Sequence, residues 1–137
     1  RKRLAGVGPL DRLPPDAYEP AAYARVYEAL FDEAGRALKA GWSVVLDASF
    51  IDPSLRELAA AVAEAAGGPF EGVWLTAPPE LLERRIRERT GDASEATAET
   101  LVMQRGRNLG RMDWLEVDVS GGAGEAARGF TTGRRRG

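Results

Sequence analysis

The chain has 137 residues, 44% hydrophobic and 29% charged, with a net charge of −2, which is the length of one domain with enough apolar content for a core and no global electrostatic case for a nucleic-acid partner. It holds no cysteine and no histidine, which excludes disulfide frameworks, thiolate chemistry and the commonest general base, so proton transfer falls to carboxylates and a metal would be a hard cation such as Mg2+. No apolar run approaches the roughly 20 residues of a membrane span and no signal peptide is evident, so a cytoplasmic protein with no membrane partner is expected.

Arg1-Lys2-Arg3-Leu4 reads as the interior of a domain with no initiator Met, and the chain is expected to be a fragment. Residues 5–18, with Gly6, Gly8, Pro9, Pro14 and Pro15, predict an irregular connection. Glu19-Pro20 then opens a helix, with proline at a favourable first position. Tyr23, Val26, Tyr27, Leu30, Ala34, Ala37 and Leu38 recur at helical spacing up to a stop at Gly41. Ser43-Val44-Val45-Leu46-Asp47 is apolar on both faces, as a buried parallel strand is.

Asp52-Pro53 supplies a cap and a first-turn proline for a helix whose stripe is Leu55, Leu58, Ala59, Val62 and Ala66, ended by Gly67-Gly68. Residues 70–76, centred on Val73-Trp74-Leu75, predict a second strand, and the two strands with their helix make a right-handed parallel βαβ unit. Beyond Ala77-Pro78-Pro79-Glu80, the residues Leu81, Leu82, Arg85, Ile86 and Arg89 lie on a helix. Residues 90–97 read as a polar loop, and a further helix is expected over about 95–104. Alternation over residues 114–119 predicts a last strand. From Gly121 onward Gly and Arg dominate, and a disordered or poorly packed tail is expected.

Asp47 ends a hydrophobic strand, the Walker B pattern, and in open parallel sheets ligands sit beyond the carboxyl ends of the strands. An acid there can hold Mg2+ or take a proton from an attacking hydroxyl; it can equally cap a turn with Ser49. Arg85 and Arg89, at i and i+4, share a helix face. They suit phosphoryl oxygens, with the Gly- and Ser-containing loop beside them as a hinge, or they belong to a solvated face with Glu83 and Glu88 as partners. Arg56 either contacts substrate or pairs with Asp52 at i, i+4. Arg1 and Arg3 flank a Gly-rich stretch or form a frayed terminus. Trp74 and Trp114 are read as packing residues, and Arg134-Arg135-Arg136 is too short a basic run to argue for RNA.

Three stretches in order resemble one family. They are residues 40–53 with Arg56 just after them, then Trp74-Leu75-Thr76-Ala77-Pro78-Pro79-Glu80, then Arg85 through Arg89-Thr90-Gly91-Asp92-Ala93-Ser94. Over about residues 1–120 the chain is similar to the AAA-type P-loop kinase-like proteins, such as polynucleotide kinase and gluconate kinase. It looks most like the ATP-binding module often fused behind an aminoglycoside-phosphotransferase-like domain.

The resemblance implies an α/β fold, a three-layer doubly wound parallel sheet of the P-loop kinase type, incomplete at the N-terminus. The domain would span residues 1–120, with 121–137 as the tail. Its cofactors would be ATP and Mg2+. Asp47 matches the Walker B acid, catalytic and metal-binding, and Arg85 and Arg89 match lid arginines at the transferring phosphate. Arg1 looks like the arginine of an Asp-x-x-Arg substrate-side motif, and Arg56 is the other substrate-side candidate. The family's G-x-x-x-x-G-K-[ST] loop, which cradles phosphates, occurs nowhere in the 137 residues and is expected upstream of residue 1. The expected function is therefore a portion of an ATP-binding phosphotransferase, a small-molecule or nucleotide-type kinase, inactive on its own. Its partners would be ATP, a phosphoryl acceptor the sequence does not name, and either an N-terminal fused domain or a second copy. The alternative is a non-catalytic binding or assembly module that pairs through an exposed sheet edge.

Overall fold

The computed structural model describes residues 1–88 and 107–134. These divide into two units, one of residues 1–70 with 107–111, the other of residues 71–88 with 112–134.

In the first unit a 3₁₀ turn, Pro15–Tyr18, leads into helix α1, Pro20–Lys39. Both ends follow the sequence. Pro20 stands where a missing N–H costs nothing. At the other end Gly41 takes a φ of 84°, so that its N–H reaches Leu38 O (2.9 Å) and the Trp42 N–H reaches Ala37 O (3.0 Å). These are the two bonds of a Schellman closure. Helix α2, Pro53–Ala65, starts on Asp52, whose Oδ1 accepts from the Ser54 N–H at 2.9 Å. It closes as α1 does, with Gly67 N–H on Glu64 O (2.8 Å) and Gly68 N–H on Ala63 O (3.0 Å). The helices pack on each other through small residues: Ala34, Ala59 and Ala63 are buried, and a Cβ on Gly35 would just touch Val62. The remaining core joins Leu13, Ala17, Ala22 and Ile51 to an aromatic cluster. Tyr27 and Phe50 are buried and meet edge to face at 5.7 Å, and Phe31 lies 6.0 Å from the first and 6.4 Å from the second.

The strand expected over residues 43–47 does not form. Val45 is 93% exposed and Trp42 72% exposed. A β-branched run becomes a strand only when a neighbouring backbone takes its N–H and C=O groups, and the described residues of this unit pair none with it. The βαβ unit built on that strand is therefore not formed as expected.

The second unit holds strand β1, Val73–Thr76, helix α3, Pro79–Glu88, strand β2, Leu115–Asp118, and helix α4, Ala123–Arg134. The strands pair in parallel with Val73 opposite Leu115 and Thr76 opposite Asp118. Bonds from Leu115 N–H to Gly72 O (2.9 Å) and from Val119 N–H to Thr76 O (2.8 Å) bracket the ladder. The fold is thus α/β with a parallel sheet, of two strands among the described residues. Trp114 packs on Gly72 so closely that a Cβ there would enter the indole ring, which is the packing role read from sequence. Residues 123–134, expected as a disordered or poorly packed tail, form helix α4, which contacts β2. Ala123, Ala126 and Ala127 are strong helix formers and Glu125 suits a first turn, which outweighs the glycines that dominated the composition. The polar loop at 90–97, the helix at 95–104 and Arg89 lie outside the described residues.

Candidate functional site

In the first unit, Asp47 is exposed, and among the described residues its carboxylate meets no hydrogen-bond or ion-pair partner. The cap with Ser49 that the sequence allows is not made. Ser49 Oγ lies 3.2 Å from Tyr27 Oη and 3.4 Å from Tyr23 Oη. Tyr27 Oη accepts from the Tyr23 hydroxyl (3.2 Å) and from the Phe50 N–H (3.4 Å). With both acceptor positions filled, the Tyr27 proton goes to Ser49. Burial pushes the Tyr27 hydroxyl above its ordinary pKa, against the bond to Ser49 that pulls it down, so it remains a donor at neutral pH. The segment is also strained. Phe50 has a φ of 44°, the one non-glycine residue with positive φ among those described, a conformation that persists only where surroundings over-determine it.

Arg56 supplies the other half of that hold. It is 5% exposed. Its Nη1 donates to Phe50 O (2.7 Å) and Ile51 O (3.0 Å), and its Nη2 to Leu109 O and to Arg111 O (3.2 Å). Arg56 is also a substrate-side candidate from the sequence; in the structure its terminal nitrogens serve the main chain. All four terminal N–H groups are committed to main-chain carbonyls, which is how a buried guanidinium is made tolerable. Nor is Asp52 its ion-pair partner: that carboxylate caps α2, and the Ser54 hydroxyl and amide, more than Arg56, hold its carboxyl below the ordinary range. Arg1 is exposed, with its guanidinium 5.9 Å from the centre of the Tyr23 ring, at the outer limit of a cation–π contact.

In the second unit, Arg85 projects from α3 and its Nη2 donates to Val119 O (2.8 Å) and Ser120 O (3.1 Å), just past the carboxyl end of β2. Glu83, offered by sequence as its partner, pairs with Arg87 at 3.4 Å. Asp118 ends β2 in an Asx turn: its Oδ1 accepts from the Ser120 N–H (2.8 Å) and from the Ser120 hydroxyl, and those bonds lower its pKa. Asp47, Arg1 and Arg56 thus belong to one unit and Arg85 to the other. The sequence reading missed the hydroxyl cluster. Tyr23 and Tyr27 stand at i and i+4 and were read as apolar stripe; their polar tips were the available signal.

A family described as AAA domain matches residues 1–108. The chain belongs to it. No curated protein and no solved structure matches the chain. The family consists of P-loop NTPase-like nucleotide-binding modules, which generally bind ATP with Mg2+. Asp47 fits one part of that chemistry, because Mg2+ is commonly held by one or two carboxylates plus phosphate oxygens and water, and this carboxylate is unencumbered. Among the described residues no group of three or more carboxylates gathers into a cation site, and no described helix is long and apolar enough to cross a membrane.

Proposed function

We propose that the chain is part of an ATP-dependent phosphotransferase, a small-molecule or nucleotide-type kinase, built on a doubly wound parallel sheet of which β1 and β2 are two strands. The observation behind this reading is Arg85 reaching the carbonyls at the carboxyl end of a parallel pair, the edge where open α/β sheets hold their ligands. ATP supplies the phosphoryl group. Asp47 holds the hard cation or takes the proton of the attacking hydroxyl. Arg85, with Arg89 four residues on in the sequence, sets positive charge against phosphoryl oxygens. Arg1 faces the acceptor side.

The test is calorimetric titration of Mg2+-ATP into this chain and into the full-length product of its gene, each beside Asp47→Asn and Arg85→Ala variants. Binding by the full-length protein, weakened by both substitutions, supports the reading. Absence of binding by either form overturns it. A second reading, an assembly module, has Trp42 and Val45 behind it, apolar side chains left in solvent on an unpaired run. Concentration-dependent self-association without nucleotide binding would favour that one.

A further inference from the structure

Three Asp-x-Ser triplets are described in this chain: Asp47 with Ser49, Asp52 with Ser54, and Asp118 with Ser120. Two of them close identically. Oδ1 of Asp52 accepts from the Ser54 amide (2.9 Å) and hydroxyl (2.8 Å), and Oδ1 of Asp118 accepts from the amide (2.8 Å) and the hydroxyl of Ser120. This is what an Asp does with a serine two residues on when nothing competes. The Asp47 triplet has the same residues at the same spacing and stays open. What differs is the pair of tyrosines on α1. Tyr27 donates to Ser49 Oγ, and Tyr23 lies 3.4 Å from the same atom. Phe50, next in the chain, is held by its amide on Tyr27 Oη and by its carbonyl on Arg56 Nη1, at a φ of 44°.

We propose that Tyr23 and Tyr27 are positioning residues that keep the Ser49 hydroxyl off Asp47, so that the Asp47 carboxylate stays open to a cation. This rests on the reading of Asp47 as the cation ligand of a nucleotide site. The tyrosines touch neither cation nor nucleotide; they act by holding Ser49. The strained turn at Phe50 belongs to the same device, since Tyr27 holds Ser49 and Phe50 with one hydroxyl. Without these bonds the triplet closes as its two counterparts do, and a cation must displace the Ser49 amide and hydroxyl before it can bind.

The test pairs loss with rescue, in the full-length gene product, reading the Kd for ATP with Mg2+ and with EDTA. The Tyr23→Phe/Tyr27→Phe variant keeps both rings and their packing. It is expected to lose about fivefold of the Mg2+-dependent affinity, the worth of one closed cap. Adding Ser49→Ala to it restores part of that affinity by removing the capping hydroxyl, and Ser49→Ala alone leaves the wild-type affinity unchanged. A purely structural role for the tyrosines would not be rescued by deleting Ser49 Oγ. In the 137-residue chain, hydrogen exchange at the Ser49 amide slows in the double Phe variant, because that N–H gains Asp47 Oδ1 as acceptor. Unchanged Mg2+-dependent affinity in the double Phe variant, or a loss that Ser49→Ala does not reverse, overturns the inference while leaving Asp47 as ligand. An Asp47→Asn variant that keeps its full Mg2+ dependence overturns the Asp47 reading, and the inference falls with it.

Discussion

Arg56 and Arg85 both place guanidinium donors on main-chain carbonyls, one in each unit, and they differ in depth and in what is left over. Arg56 is buried and commits both terminal nitrogens, tying residues 50 and 51 to residues 109 and 111. Arg85 is half-buried and commits one nitrogen to two adjacent carbonyls. The contrast separates a staple from a candidate ligand group. Both are site candidates from the sequence, and Arg85 is the one with a terminal nitrogen left uncommitted. Accessibility of the N–H groups decides the matter, because a guanidinium has a fixed set of donors and no acceptor.

The sharpest way to break this contrast is Arg56→Ala. Four carbonyls lose their donor and the two segments lose their tie, so the first unit is expected to lose about 3 kcal/mol. Hydrogen exchange at the amides of α2 and of residues 109–111 reads the loss. Arg56→Lys recovers little, because an ammonium cannot spread over four carbonyls as the fork does; wild-type protection in that variant would show that charge, and not the fork, makes the tie.

In the second unit the largest effect falls elsewhere. Gly72→Ala drives a methyl into the Trp114 ring and is expected to cost about 2 kcal/mol by overpacking, seen as lost protection at the Leu115 and Val119 amides. Arg85→Ala follows with about 1 kcal/mol, since its two carbonyls can turn to water. Its larger consequence is expected in nucleotide affinity. A stability loss in Arg85→Ala equal to that of Arg56→Ala would make the two arginines equivalent staples and remove the distinction.

The sequence carried the local punctuation well. Pro20, Gly41, Asp52-Pro53 and Gly67 mark helix ends because each states a backbone geometry by itself. It carried β1 and β2, whose apolar cores lie within the expected runs. It misjudged residues 43–47, because whether a strand forms depends on a partner that no local pattern names. The neighbours of Arg56 were out of its reach for a related reason: i, i+4 spacing offers Asp52, while Leu109 and Arg111 become its neighbours only through the fold. Asp47 was legible as an acid at the end of an apolar run, but the reason it stays uncapped lies in Tyr27, 20 residues earlier, whose hydroxyl the helical pattern recorded as part of an apolar stripe.

The smallest effects concern the caps, and they divide the units by pH. Asp52→Ala is expected to cost about 1 kcal/mol, and Asp52→Asn, which keeps an acceptor, a few tenths. Serine bonds hold the folded-state carboxyls of Asp52 and Asp118 below their ordinary values, so the folded state binds the proton less readily than the unfolded one. Their contribution is fully present above the unfolded-state pKa of about 3.9 and is lost as the pH falls through the lower folded-state value. Both units therefore weaken on the acid side, and wild type and Asp52→Ala converge there. Tyr27 has the opposite sense: burial raises its pKa, so its contribution is present below the unfolded-state value of about 10 and is lost as the pH rises through the higher folded-state one. An alkaline weakening is thus expected from Tyr27 in the first unit, where it begins at the hold on Ser49 and Phe50. Amide exchange of Phe50 followed from neutral to high pH, compared with that of Leu115, reads this difference directly; identical alkaline profiles at the two amides would mean that the Tyr27 hydroxyl is not what fixes the turn after Asp47.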